Sequence, residues 1–149
     1  MLKRSSKALA ILVCISSCLN SASAAESPAN AIKSLSAQIR KDPANMDSRR
    51  KISAAFLKAG LAAKAEEQMM LVMRFGERSL EDFLLLADCQ RYAGKQSDAI
   101  RSYQEVLSKD PGNTKAVSGL AYSYMLAGDS AGAARICKSE LNKTTDVKS

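Results

Sequence analysis

Displaced by 34 residues, the sequence falls into register with itself. Gly94, Ala99 and Tyr103 align with Gly128, Ala133 and Cys137 one period later, and with Gly60, Ala65 and Met69 one period earlier. The acid-proline turn Asp110-Pro111 has its counterpart in Asp42-Pro43 two periods upstream, where "DPAN" echoes "DPGN". A period of this length marks a solenoid of stacked helix pairs, because one pair cannot bury its apolar face without a neighbour. The expected fold is therefore all-α, an α-solenoid of about three and a half helix-turn-helix repeats with seven helices and no strands.

Local chemistry supports the same division. Phe83, Leu86, Ala87 and Gln90 stand at i, i+3, i+4 and i+7, one face of a helix. Ala99 is small where the following helix must approach that face. Gly60, Gly94 and Gly128 break each hairpin, since glycine accepts positive φ. Pro111 stops a helix because it has no N–H to donate. Ser27-Pro28 is an N-cap followed by proline in the first turn, and Ser79 with Asp82 spells a capping box. Helices of about 13 residues are marginal alone, so each must draw its stability from stacking.

On these residues the chain resembles the tetratricopeptide repeat family over about residues 29 to 147. The units read 46–79, 80–113 and 114–147, after a segment 25–45 that carries a half-repeat helix near Pro28 to Lys41. In the family's first-helix pattern the second unit supplies Phe83, Leu86, Ala87 and Gln90, and the third Val117, Leu120, Ala121 and Tyr124. The first unit departs furthest, with Arg49, Ile52, Ser53 and Phe56, and Arg49 stands where an aromatic is usual. Glu77 replaces the closing proline there, so Gly76 is expected to end that helix.

The resemblance implies a concave groove lined by a second face of each first helix. That face holds Arg50, Ala54 and Leu57, then Leu84, Asp88 and Arg91, then Ser118, Tyr122 and Met125. Apolar anchors set among charges suit recognition of a protein. Arg50, Leu57, Leu84, Asp88, Arg91, Tyr122 and Met125 are the candidate partner-binding residues, with Tyr124 assigned to the core. Some family members clamp the C-terminal carboxylates of chaperones with basic and Asn residues. The matching positions here are Arg50, Ala54, Leu85, Lys115 and Gly119, with no asparagine, so that activity does not carry over.

Enzyme chemistry finds little footing. The chain has no histidine, which removes Ser-His-Asp and Cys-His catalysis and every His-bearing zinc site. Ser48-Arg49-Arg50-Lys51 spells S-x-x-K, a Ser-Lys hydrolase nucleophile pattern, but lacks its S-D-N and K-T-G companions and reads as chance. No strand leads into a glycine-rich phosphate loop, and no cofactor is expected. Cys89 and Cys137 fall at packing positions on different faces and are expected as two buried thiols; two cysteines alone make no metal site.

The formal charge of +7 invites nucleic acid. Lys3, Arg4 and Lys7 account for much of it, leaving 19 of the 22 basic residues against 15 acidic ones, and no basic run exceeds Arg49-Arg50-Lys51, so nucleic acid is not an expected partner. Those first residues belong to a different pattern. A basic start, the apolar run Ala8 to Ile15 and a small-residue exit are the parts of a secretory signal peptide, and the run is far short of the roughly 20 residues that span a bilayer. Two processing sites compete. Ala22-Ser23-Ala24 gives a signal peptide of residues 1–24, whereas Ile15-Ser16-Ser17-Cys18 resembles a lipobox that would remove 1–17 and lipidate Cys18.

The expected protein is thus exported, periplasmic or anchored in the outer membrane. It would serve as an adaptor or scaffold in a bacterial envelope assembly such as pilus assembly or secretion. A partner helix or extended peptide would occupy the groove, and the membrane would be met only through a lipid anchor or an associated complex. The alternative is a tetratricopeptide chaperone for secreted subunits.

Overall fold

The computed structural model describes residues 27–146, with side chains as far as residue 140. The proposed leader, its two processing sites and Cys18 lie outside the described residues. Seven helices follow one another without a strand among them: α1 (Pro28–Lys41), α2 (Met46–Lys58), α3 (Ala62–Phe75), α4 (Leu80–Tyr92), α5 (Gln96–Lys109), α6 (Thr114–Leu126) and α7 (Ser130–Asp146). Each packs on its neighbours in sequence, and α2 also touches α4 as α4 touches α6. That second set of contacts is what turns a string of hairpins into a solenoid.

Three turns repeat the same hydrogen bonds. At the α2–α3 turn the Gly60 amide donates to Leu57 O (3.0 Å) and the Leu61 amide to Phe56 O (2.8 Å). The amides of Gly94 and Lys95, and of Gly128 and Asp129, do the same one and two periods on. This is the Schellman arrangement, and it needs a left-handed residue at its centre. The three glycines have φ of 74°, 80° and 81°. A Cβ would meet no atom within 4 Å at any of them, so backbone conformation rather than space demands glycine.

The turns between hairpins work by side chains. In Asp42-Pro43-Ala44-Asn45 the Asp42 carboxylate accepts from the Ala44 amide (3.1 Å) and Asn45 caps α2 through the Ser48 amide (2.8 Å). Asp110 and Asn113 repeat both bonds ahead of α6. The first unit closes differently. Gly76 is the C-cap of α3 but sits at φ −96°, so a left-handed backbone is not what ends that helix. Glycine suits the site because a Cβ would lie 2.9 Å from Val72 O and 3.3 Å from Met46 Cγ. Ser79 then starts α4, and its capping box with Asp82 is complete.

Two clusters form the core. One joins Ala65, Met69 and Val72 of α3 to Leu86 and Cys89 of α4. The other gathers Ala87, Ala99, Tyr103, Val106, Ala116 and Leu120 from α4, α5 and α6. Ala65 and Ala99 are wholly buried, as a close helix crossing requires. At Gly119, on α6, a Cβ would lie 2.3 Å from Cζ of Tyr103, so the absent side chain makes room for that ring.

Cysteine burial differs from the sequence expectation. Cys89 is fully buried, and burial, then the Asp88 and Glu66 charges, pushes its thiol up to about 12. Cys137 is exposed, and both thiols are free. Its counterparts Met69 and Tyr103 are covered by the first helix of the next unit, whereas no described helix follows α7. Ile136 packs against the core in its place.

Candidate partner-binding groove

On α4 and α6 the concave face opens into a cleft of about 780 Å³. Asp88, Arg91 and Tyr122, singled out by sequence, share it with Tyr92, Lys115 and Leu126. Its back wall is a partly buried polar knot. The Tyr103 hydroxyl donates to Asp88 Oδ1 (2.5 Å), Arg91 Nε donates to the Tyr103 oxygen (3.1 Å), and Arg91 Nη2 reaches Asp88 Oδ1 (3.3 Å). Burial and then the Asp88 bond push the Tyr103 phenol well above its ordinary range. Burial opposes the Arg91 charge, but bonds with Tyr103, Tyr92 and Asp88 outweigh it and keep the guanidinium cationic.

Aromatic rings complete the holding of Arg91. Its guanidinium carbon lies 4.0 Å from the Tyr92 ring centre and 5.4 Å from that of Tyr122, within cation–π range. Asp88 therefore largely neutralises Arg91, and Lys115, exposed at the cleft's lip, has no ion-pair partner among the described residues. Thr114 and Lys115 also border an adjoining cleft of about 380 Å³ with Leu80, Glu81 and Leu84. The two hollows run together across the concave face. What they offer is an apolar shelf of Tyr92, Tyr122 and Leu126 with one free cation beside it.

Of the other candidate residues, Leu84 borders the adjoining cleft and the rest line neither hollow. Met125 is 63% exposed beside Leu126 at the C-terminal end of α6. Leu84 and Leu57 are half-buried and pack partly against the two core clusters. Arg50 is not a free groove cation. It grips Asp82 through two bonds (Nε–Oδ1 2.7 Å, Nη2–Oδ2 3.0 Å), and also holds Asp47 and Glu77 O. Of the remaining clamp positions, Leu85 packs on the core and Gly119 faces Tyr103.

Sequence reasoning missed Tyr92 and Leu126. They are one period apart and end successive first helices, so the repeat register itself held the signal. Tyr124 is half-buried against the core, its oxygen accepting from Gln104 Nε2 (3.2 Å). The S-x-x-K serine does not face its lysine: Ser48 is buried and donates to Gln38 Oε1 (3.0 Å), while Lys51 is exposed. Among the described residues no group of acids and cysteines is arranged to hold a metal, and no helix is long and apolar enough to cross a membrane.

Stacked helix pairs and left-handed glycine turns define an α-solenoid whose first helices α4 and α6 line the cleft. Residues 91–146 match the family model described as "Tetratricopeptide repeat". That stretch is tetratricopeptide repeat sequence, and the described helices take up the fold seen in tetratricopeptide repeat structures. No curated protein matches it. Among solved structures it is similar to MamA, at 20% identity and a TM-score of 0.69 over 78% of this chain, spanning 63% of MamA's length. It is also similar to the second repeat domain of human RPAP3, solved in complex with an HSP70 peptide, at 24% identity and a TM-score of 0.59 over 64% of this chain and 80% of that one. A repeat protein from Parabacteroides merdae matches with 16% identity and a TM-score of 0.63, over 77% of this chain and 45% of that one. At these identities the likeness establishes the fold.

Proposed function

We propose that this protein is an exported adaptor that holds a segment of a partner protein in its concave cleft, within a bacterial envelope assembly. The observation that carries the reading is the cleft itself, where Tyr92, Tyr122 and Leu126 remain exposed beside a locked Asp88–Arg91 pair. Exposed rings spread over a rigid polar floor offer a large contact area at small entropic cost. The RPAP3 domain, with its HSP70 peptide, supports the view that this architecture accommodates a peptide. Export rests on the basic, apolar and small-residue order of the first 24 residues.

Binding is tested with a partner recovered by pull-down from envelope extracts and then purified. Tyr122 is 49% exposed, so Tyr122→Ala is expected to keep its melting temperature. It should weaken partner binding about 30-fold, the ~2 kcal/mol typical of a central anchor. Tyr124→Ala, which strips a half-buried core side chain, should lower the melting temperature first. Unchanged affinity in both Tyr122→Ala and Tyr92→Ala, measured by titration calorimetry, would remove the cleft as the binding surface.

Export has its own test. Residues 1–30 fused to a reporter active only outside the cytoplasm should give signal, and a cytoplasmic reporter pool would end that part of the reading. Metabolic labelling with a palmitate analogue separates the processing sites. Label lost in Cys18→Ala indicates lipidation there, and an unlabelled wild type indicates cleavage after Ala24.

A further inference from the structure

A second exposed patch lies on α3. Met70 and Phe75 are 55% and 65% exposed, and with half-buried Leu71 they lie on or beside a cleft of about 760 Å³ lined by Met70, Leu71, Met73 and Arg74. The repeat supplies an internal control for whether the fold requires this. One period on, Met70, Leu71 and Phe75 become Gln104, Glu105 and Lys109, and Met70 and Leu71 become Lys138 and Ser139 in the third unit. Met73, by contrast, becomes Leu107, and both pack against a core cluster. The architecture therefore needs Met73 but not the other three. Their apolarity is particular to this unit.

Charge describes what would cover them. Arg74 and Arg78 line the cleft, Arg49 bonds Gln68 at its rim (2.6 Å), and the one acid in the lining is Glu67. None of the three guanidinium groups has a carboxylate partner among the described residues. The Arg74 guanidinium lies 5.3 Å from the Phe75 ring centre, which places charge directly beside the apolar surface. A second copy of this chain, with 19 basic against 15 acidic residues beyond Lys7, would meet like charge here. Methionine side chains adapt to irregular partners.

We propose that the α3 cleft is a second docking surface, for an acidic amphipathic segment of another protein. Met70, Leu71 and Phe75 receive its apolar side chains, and Arg74 and Arg78 pair with its carboxylates. Because this surface is distinct from the α4–α6 cleft, occupation of one leaves the other open, and the protein can bridge two partners.

The test uses the full chain and a fluorescein-labelled amphipathic peptide of leucine and glutamate, read by anisotropy, with a leucine–lysine peptide as control. Saturable binding of the glutamate peptide is expected, and at least about tenfold weaker binding of the lysine peptide. Met70→Gln combined with Phe75→Lys, the residues the second unit carries, should weaken it tenfold or more with an unchanged melting curve. Arg74→Gln with Arg78→Gln should lower both affinity and salt dependence, while Tyr122→Ala should leave affinity as it was. No saturable binding of the glutamate peptide, or equal affinity in the Met70/Phe75 variant, overturns the proposal. So does stronger binding to phosphatidylglycerol vesicles that is lost in that variant, which would make the patch a membrane contact. A concentration-dependent dimer lost in the same variant would make it a self-association face and would equally overturn it.

Discussion

Tyr103→Ala is expected to cost ~3–5 kcal/mol, the usual range for deleting a buried aromatic ring. Tyr103 is the largest fully buried side chain among the described residues, and it joins α4, α5 and α6 at once. Its ring fills the space that Gly119 leaves open, and its hydroxyl lies between Asp88 and Arg91. Two further variants separate these roles. Tyr103→Phe keeps the ring and removes the bridge, costing ~1–3 kcal/mol for the loss of hydrogen bonds to two charged groups. Gly119→Ala keeps the bridge and drives a methyl group into the ring, costing ~1–3 kcal/mol by overpacking. Urea denaturation of the three variants measures each contribution. If Tyr103→Ala loses no more than Tyr103→Phe, the ring is not the element that joins the three helices. The same variants bear on binding, because Tyr103 anchors Arg91 and Arg91 in turn meets the Tyr122 ring.

The fold was legible because its determinants are local and repeated. A left-handed turn needs glycine wherever it occurs, so Gly60, Gly94 and Gly128 announced the hairpins before any contact was known. Ser27 and the Ser79–Asp82 box likewise act within a single helical turn. Asn45 and Asn113 were visible as an echo in the sequence, but their capping role becomes plain only when the helix starts are fixed.

The groove was partly legible, and for a definable reason. Helical spacing finds the face on which Asp88, Arg91 and Tyr122 lie, and the cleft brings those three together. Spacing says nothing of what long side chains reach. Arg50 shares that face by register, but its guanidinium is claimed by a carboxylate 32 residues away in sequence. Cys137 shows the opposite failure. Its register is that of Met69 and Tyr103, yet burial depends on a following unit, and none is described beyond α7. Position within a repeat sets direction, while position within the array sets cover.

Arg50→Met is expected to destabilise the chain by ~3–5 kcal/mol at neutral pH, because it leaves Asp82 as a buried charge without its partner. Asp82 is 2% exposed, and the capping box holds it in place, so it cannot swing out to water without uncapping α4. Asp47, the other acid bonded to Arg50, is exposed; Asp47→Ala should therefore change stability by no more than ~0.5 kcal/mol. Replacing both members of the buried pair, Arg50→Met with Asp82→Leu, should recover part of the loss by removing the stranded charge, although the capping bond goes with it. Acid supplies the decisive measurement. Burial alone would push the Asp82 carboxyl up, but the bonds from Arg50 and Ser79 outweigh it and hold the carboxyl below its ordinary value. The pair's contribution is therefore present above the ordinary carboxylate range, near pH 4, and is lost as pH falls through that range toward the lower folded value. In Arg50→Met the burial effect has less opposing it, so protonation relieves the penalty instead of creating one. The stability gap between wild type and Arg50→Met, measured by urea denaturation, should narrow between pH 7 and pH 3. A gap of the same size at both values would mean that Arg50 stabilises the chain by packing its stem and not by answering the Asp82 charge.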